Sequence, residues 1–327
     1  MKVPPLDLAA EYREIESEVK PRLDRVLKSG HFILGGEVAA FESEFARFVG
    51  SRYAIGVASG SDALLLSLMA LEIKPNDEVI TSSFTFIATG TAIARLGAKP
   101  VFADIDPESF NVDPRSIEKK ITKRTKAIIP VHLYGQSCDM PSILKIAKKH
   151  KLFVIEDCAQ ACGATWKGKT VGSFGDFGCF SFYPTKTIGA YGDGGAVVAS
   201  SAKLAAEIRS LRQYGTKKKK YYHEEIGVNS RLDEIQAAIL NVKLKRLPEW
   251  NKKRAQLARH YDRLIGALNL KEITIPERAA HAGHVYHQYG ILVEQRDALM
   301  KFLIDHGVMA GVYYPQPLHL QKCFLNR

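Results

Sequence analysis

Between residues 52 and 200 the chain alternates short apolar runs with amphipathic stretches, and this rhythm constrains its fold more than any other feature. Short apolar runs, several of them bounded by Gly, Pro or Asp, fall at residues 53–58, 78–82, 100–104, 127–132, 153–156, 178–182 and 196–199. Several are rich in Val and Ile, and their length and edges predict strands. Helix-period stretches separate them at 62–71, 87–96, 113–121 and 140–150. Apolar strands joined through helices predict an α/β fold, a mostly parallel seven-stranded sheet between helix layers. In such a sheet ligands bind beyond the carboxyl ends of the strands. Residues just after each strand are therefore the first candidates for chemistry.

The pattern changes after residue 200. Long helical segments are predicted at 202–214, 232–247 and 249–268, then a short α+β stretch with a strand at 286–293 and a helix at 296–306. Ile15, Val19, Leu23 and Val26 share a helical face, so the first residues predict a helical arm. The expected organisation is an arm over 1–30, a large domain over 31–245 and a smaller C-terminal domain over 246–327. At about 150 residues per domain, 327 residues agree with two domains.

Lys and Arg number 46 and Asp and Glu 35, a net charge of +11. That excess admits a nucleic-acid partner, but a basic enzyme surface that attracts anionic small molecules explains it as well. The run Lys217 to Lys220 followed by Tyr221 and Tyr222 reads better as a mobile loop near an anionic substrate than as a nucleic-acid site. The expectation is neither a nucleic-acid nor a membrane partner. No apolar run approaches the ~18–20 residues that span a bilayer. Residues 1–11 lack a basic then apolar leader, so no secretory signal is expected. The five Cys form no C-x-x-C and are odd in number, which favours packed thiols in a reducing cytoplasm. His281, His284 and His287 recur every three residues without a carboxylate or Cys partner, and no metal is expected there.

Three segments carry chemistry. Residues 180–195 place Lys186 in a Gly- and aromatic-rich turn between two strands. A lysine beside buried neighbours has a lowered pKa and serves as a nucleophilic amine; read alone, it is equally a surface turn lysine. The strand at 153–156 runs into Glu156 and Asp157, and side chains alternate, so one carboxylate faces the carboxyl edge. A carboxylate there can keep a pyridine nitrogen protonated, although alone it reads as a helix N-cap. Residues 58–64 turn from a strand through Ser59-Gly60-Ser61 into a helix, whose N-terminus suits a phosphate or is simply capped by Ser61 or Asp62. Neither Gly-x-Gly-x-x-Gly nor a Walker loop is present.

With this cup, carboxylate and lysine in that order, the chain resembles the DegT/StrS-type nucleotide-sugar aminotransferases. These are fold-type-I pyridoxal-phosphate enzymes of the aspartate aminotransferase superfamily. The matching stretches are 29–35 (SGHFILG), 59–64 (SGSDAL), 84–89 (FTFIAT), 97–102 (GAKPVF), 131–136 (VHLYGQ), 156–160 (EDCAQ), 181–195, 227–233 (GVNSRLD) and Tyr314-Pro315.

The resemblance implies the following roles. Lys186 binds pyridoxal 5'-phosphate covalently and later shuttles a proton. Asp157 pairs with the ring nitrogen, Gln160 lies near the ring hydroxyl and Phe86 stacks on the ring. Gly60, Ser61, Asp62 and Ser181 hold the phosphate, and Asn229 reaches it across a homodimer interface, so active sites are shared. Tyr183, Arg231, Tyr314 and His319 are candidate substrate contacts; Arg231 would meet a carboxylate or diphosphate, or else pack at a helix N-terminus. Members with His in place of the lysine dehydrate sugars, and Lys186 argues against that. C4-aminating members often carry His after Ser-Phe and a Gly-Glu-Gly-Gly turn; Tyr183 and Gly192-Asp193-Gly194-Gly195 look instead like the C3-aminating group. The implied reaction gives a UDP- or dTDP-linked 3-keto-sugar an amino group from L-glutamate, for cell-surface polysaccharide or amino-sugar synthesis. A C4-aminating enzyme and a non-catalytic regulator of the same fold are the alternatives. Similar enzymes continue beyond the Leu318-His319 stretch, so the small domain is expected to be shortened.

Overall fold

The computed structural model describes residues 3–4, 6–217 and 221–325. Lys218, Lys219 and Lys220 of the lysine run lie outside the described residues. Among those described, the helices are α1 (Leu8–Ser29), α2 (Gly36–Val49), α3 (Gly60–Ala70), α4 (Ile87–Arg95), α5 (Pro114–Lys119), α6 (Met140–His150), α7 (Ala202–Leu211), α8 (Glu234–Leu268) and α9 (Arg296–Asp305). The strands are β1 (Tyr53–Val57), β2 (Glu78–Ser82), β3 (Lys99–Ala103), β4 (Thr125–Ile129), β5 (Phe153–Asp157), β6 (Thr165–Trp166), β7 (Lys169–Thr170), β8 (Phe177–Ser181), β9 (Gly195–Ala199), β10 (Ile273–Thr274), β11 (Ala282–Gly283) and β12 (Leu292–Val293).

All seven strands predicted between residues 52 and 200 pair into one sheet, ordered β1-β9-β8-β5-β4-β2-β3. Pairing is parallel from β8 to β3, and β9 runs antiparallel to both its neighbours. The strands read as continuous apolar runs because both faces are covered. Ile55, Val57, Ile155, Phe177, Cys179 and Val197 pack toward α3, α4 and α7. The alternate residues Ala54, Phe180, Ala196 and Val198 pack toward α2 and α8, and Ile80, Ile128 and Val154 toward α6. Side-chain alternation along each strand thus builds two cores from one sheet.

The sequence reading differs from the structure in three places. The segments 232–247 and 249–268 form one helix, α8, which continues through Pro248. Leu244, Leu247 and Trp250 are buried around the proline, and this packing outweighs its missing N–H. The boundary placed at 245/246 therefore falls inside a helix. The strand expected at 286–293 is reduced to β12, paired with β10; Tyr286, at φ +49°, leaves the extended conformation. Helix α2, not singled out from periodicity, buries Val38, Phe41, Phe45 and Val49.

Glu234 ties α8 to α2. Its carboxylate accepts the N–H groups of Gly35, Glu37 and Val38 at 2.8–2.9 Å. Donors at the start of a helix lack intrahelical partners, and an anion there gains from the helix dipole. Glu234→Ala leaves these donors unpaired and is expected to lower the unfolding free energy by roughly 2–3 kcal/mol in urea titration. A change below about 0.5 kcal/mol would show that the bonds carry no net stability.

Candidate active site

The carboxyl ends of β1, β5 and β8, with the start of β9, meet along one edge of the sheet. Asp157 closes β5, the middle strand, and is buried. Its Oδ2 accepts the Thr89 hydroxyl at 2.7 Å, and its Oδ1 accepts the Ala159 N–H at 3.1 Å. Burial raises its pKa, while these two bonds and the positive charge of Lys186 work against that rise. Lys186 shows the mirror effect: burial lowers its pKa and the Asp157 charge opposes the drop. The lysine sits in the β8–β9 connection, its backbone N–H donating to Tyr183 O at 2.8 Å.

Glu156, one residue earlier, points to the other face. Its oxygens accept the N–H groups of Gly172, Phe174 and Gly175 at 2.7–2.9 Å. His132 Nδ1 accepts the Cys138 N–H at 3.0 Å, so Nε2 carries the proton facing Glu156 at 3.1 Å. His132, Glu156 and Cys158 bring three potential ligand atoms within 4.8 Å of one another. Hydrogen bonds already engage both His132 nitrogens and both Glu156 oxygens, so this cluster reads as a buried polar network.

The cup after β1 is closely built. Ser59 Oγ caps α3 by accepting the Asp62 N–H at 3.1 Å. A Cβ at Gly60 would lie 2.6 Å from Ser181 Cβ, and one at Gly195 2.4 Å from the Ser59 carbonyl carbon. Only glycine lets the α3 N-terminus, β8 and β9 approach this closely. The Asp62 carboxylate accepts the Ser230 hydroxyl at 2.7 Å, and Ser230 in turn accepts the Ala58 N–H at 3.0 Å. Ser61 is exposed at the mouth of the cup.

Gln160, Tyr314 and Phe86 come together. Gln160 accepts the Tyr134 N–H at 2.8 Å and donates to Tyr314 Oη at 2.9 Å. The Tyr314 ring lies 6.3 Å from Phe86 and 6.0 Å from Phe84. Phe86 is 54% exposed and Tyr183 53%. Asn229 is exposed and bridged to Gln213. Arg231 is half-buried just before α8, its Nε without a partner. His319 lines a cleft of about 690 Å³ along edge strand β3 with Lys99, Phe102 and Asp104. His287 Nδ1 is buried without a partner; burial first, then the charges of Lys186 and Arg254, hold its pKa down to about 3.

The sequence profile of the DegT/DnrJ/EryC1/StrS aminotransferase family matches residues 13–327. The chain belongs to that family. It is 48% identical to a Geobacillus stearothermophilus protein named "Pleiotropic regulatory protein", over 100% of this chain and 87% of that one. It is also 48% identical to the dTDP-3-amino-3,6-dideoxy-alpha-D-galactopyranose transaminase of Aneurinibacillus thermoaerophilus, over 98% of this chain and 88% of that one. Among solved structures, that of S. venezuelae DesV in complex with a ketimine intermediate superposes with a TM-score of 0.96 at 43% identity, covering 100% of this chain and 87% of that one. No helix among the described residues is long and apolar enough to cross a membrane.

Sequence reasoning missed Thr89, the side-chain partner of Asp157. Its signal was a hydroxyl in the first turn of the helix after β2. His132 and the Tyr134 backbone also escaped, because their partners lie about 25 residues away. Asp157 generates a stability test with a definite sign. A carboxyl whose folded pKa is raised costs stability once pH exceeds the unfolded value, and costs nothing below it. In cofactor-free protein, Asp157→Asn keeps an acceptor for Thr89 and is expected to raise the urea midpoint at pH 8. The gain should disappear near pH 3. An equal loss at both values would contradict the burial cost.

Proposed function

We propose that the chain moves an amino group from L-glutamate to carbon 3 of a UDP- or dTDP-linked 3-keto-sugar, using pyridoxal 5'-phosphate held at Lys186. The observation that carries this reading is that Asp157, buried at the end of β5, and Lys186, in the β8–β9 turn, lie near enough for each charge to act on the other, while burial raises the pKa of the first and lowers that of the second. The family supplies the reaction class. The 3-amino product in the Aneurinibacillus relative's name supports the carbon, and the resemblance of residues 181–195 to C3-aminating enzymes supports it independently.

The residues present fit the cofactor. The glycine-lined cup at Gly60, Ser61, Asp62 and Ser181, which a Cβ at 60 would fill, would take the phosphate at a helix N-terminus. Asp157 would pair with the ring nitrogen, Gln160 with the ring hydroxyl, and Phe86 would cover the ring. When bound, the cofactor supplies an electron sink for a carbanion beside nitrogen. Burial lowers the pKa of Lys186 Nζ, which favours the free amine that would take a proton from carbon and return it. Thr89 and Ala159 fix the Asp157 carboxylate so that it does not turn away. Tyr183, Arg231, Tyr314 and His319 are proposed to meet the sugar nucleotide. The net charge of +11 suits a diphosphate.

We place a second copy of the chain over the site. Phe32, Ile33, Phe86 and Tyr183 are exposed apolar side chains, and Asn229 stands outward, where it would reach the phosphate of the partner's site. The five unpaired thiols favour a cytoplasmic setting.

Purified protein, glutamate and a panel of UDP- and dTDP-linked 3-keto and 4-keto sugars test the reading. Amine transfer to the 3-keto compounds is expected, with Lys186→Ala slower by ~10³-fold or more. Transfer only to 4-keto sugars would move the carbon. A protein that takes up no cofactor and transfers nothing would favour the regulatory role in the Geobacillus relative's name.

A further inference from the structure

Lys243 on α8 has 0% of its surface exposed. An ammonium there loses its hydration and persists only when the protein replaces it. The replacement comes from three directions. Its Nζ donates to the Gly189 carbonyl at 2.6 Å. It pairs with the Glu11 carboxylate of α1. It also lies 4.2 Å from the centroid of the Tyr191 ring. The surrounding contact of α1 with α8 is apolar, built on Ile15, Val19, Ile239, Val242 and Trp250. A hydrophobic side chain at 243 would complete that contact without burying a charge, so packing alone does not explain the lysine.

The carbonyl that Lys243 holds explains it better. Gly189 ends the turn that carries Lys186. The turn is closed at its neck by the Ala190 N–H on Phe182 O at 2.7 Å and inside by the Lys186 N–H on Tyr183 O at 2.8 Å. It folds back so tightly that a Cβ at 189 would lie 2.2 Å from Pro184 O. We propose that Lys243 is a positioning residue for Lys186: its ammonium, fixed by Glu11 of the N-terminal helix, pins the Gly189 carbonyl and thereby the turn that aims the Lys186 amine. The N-terminal arm thus takes part in orienting the reacting lysine. The functional half of this proposal rests on the reading of Lys186 as the reacting amine.

Lys243→Met keeps the stem and removes the ammonium, Glu11→Gln removes only its anchor, and Lys243→Arg restores a cation. The full chain is compared by hydrogen exchange over residues 182–190 without cofactor. The pH midpoint of its visible absorbance and its kcat and KM are then measured after loading with pyridoxal phosphate. In Lys243→Met, exchange over 182–190 should rise about tenfold or more, without a matching rise in the β4 and β5 core. The absorbance midpoint should shift, and kcat should fall by ~10-fold or more with KM for glutamate within about twofold. Glu11→Gln should move each quantity the same way by less, and Lys243→Arg should recover part of kcat. Unchanged exchange and kcat in Lys243→Met would overturn the proposal. If that variant does not fold, wild-type values in Glu11→Gln overturn it. A wild-type chain that binds no cofactor at Lys186 would defeat the reading of Lys186, while exchange would still decide whether Lys243 holds the turn.

Discussion

A carboxylate at the end of the middle strand, shut away from water, sets the terms for the groups around it. β5 has three strands on either side, so Asp157 emerges where the sheet is deepest. Burial disfavours its charge, and the same burial disfavours the charge on Lys186. Each group relieves the other, since opposite charges favour both ionised forms. Thr89 and the Ala159 N–H add to that relief. Burial thus works against the charge on both groups, and each charge works against that effect on the other.

Glu156 and Asp157 show how one strand serves two purposes. They are sequence neighbours on opposite faces. Glu156 is surrounded by backbone donors and His132, and its oxygens are committed to holding the 172–175 turn. Asp157 has a single hydroxyl and a single amide, so part of its accepting capacity remains for a partner. A carboxylate fully committed to backbone donors and one with accepting capacity to spare are separated by one peptide unit. The cup follows a similar economy. The Asp62 side chain ties α3 to Ser230 on the segment entering α8, while the helix N-terminus itself faces the site.

What could be read from the sequence was what local patterns carry. The seven strands were legible because each is a short apolar run, several of them with Gly, Pro or Asp at their edges. Local pattern alone did not single out Lys186 and Asp157, since a lysine in a Gly-rich turn is equally a surface residue and an acidic strand end reads as a helix N-cap; their order along the chain and the family resemblance did. The continuity of α8 was not, because Pro248 signals a break and only the packing of Leu244, Leu247 and Trp250 overrides it. Helix α2 is fastened by Glu234, about 200 residues away. The contacts of Thr89 with Asp157, and of Lys243 with Gly189 and Glu11, also join segments far apart in sequence. Such long-range polar contacts leave no periodic trace, and the functional detail of this site is made of them.

The central claim is that the Lys186 amine takes up pyridoxal phosphate at the carboxyl edge, opposite Asp157. Borohydride reduction of the cofactor-treated protein, followed by peptide mass mapping, tests it directly. The account predicts one phosphopyridoxyl mass addition per chain, on Lys186, and its loss in Lys186→Ala. Modification spread over surface lysines, or concentrated on another residue, would contradict it.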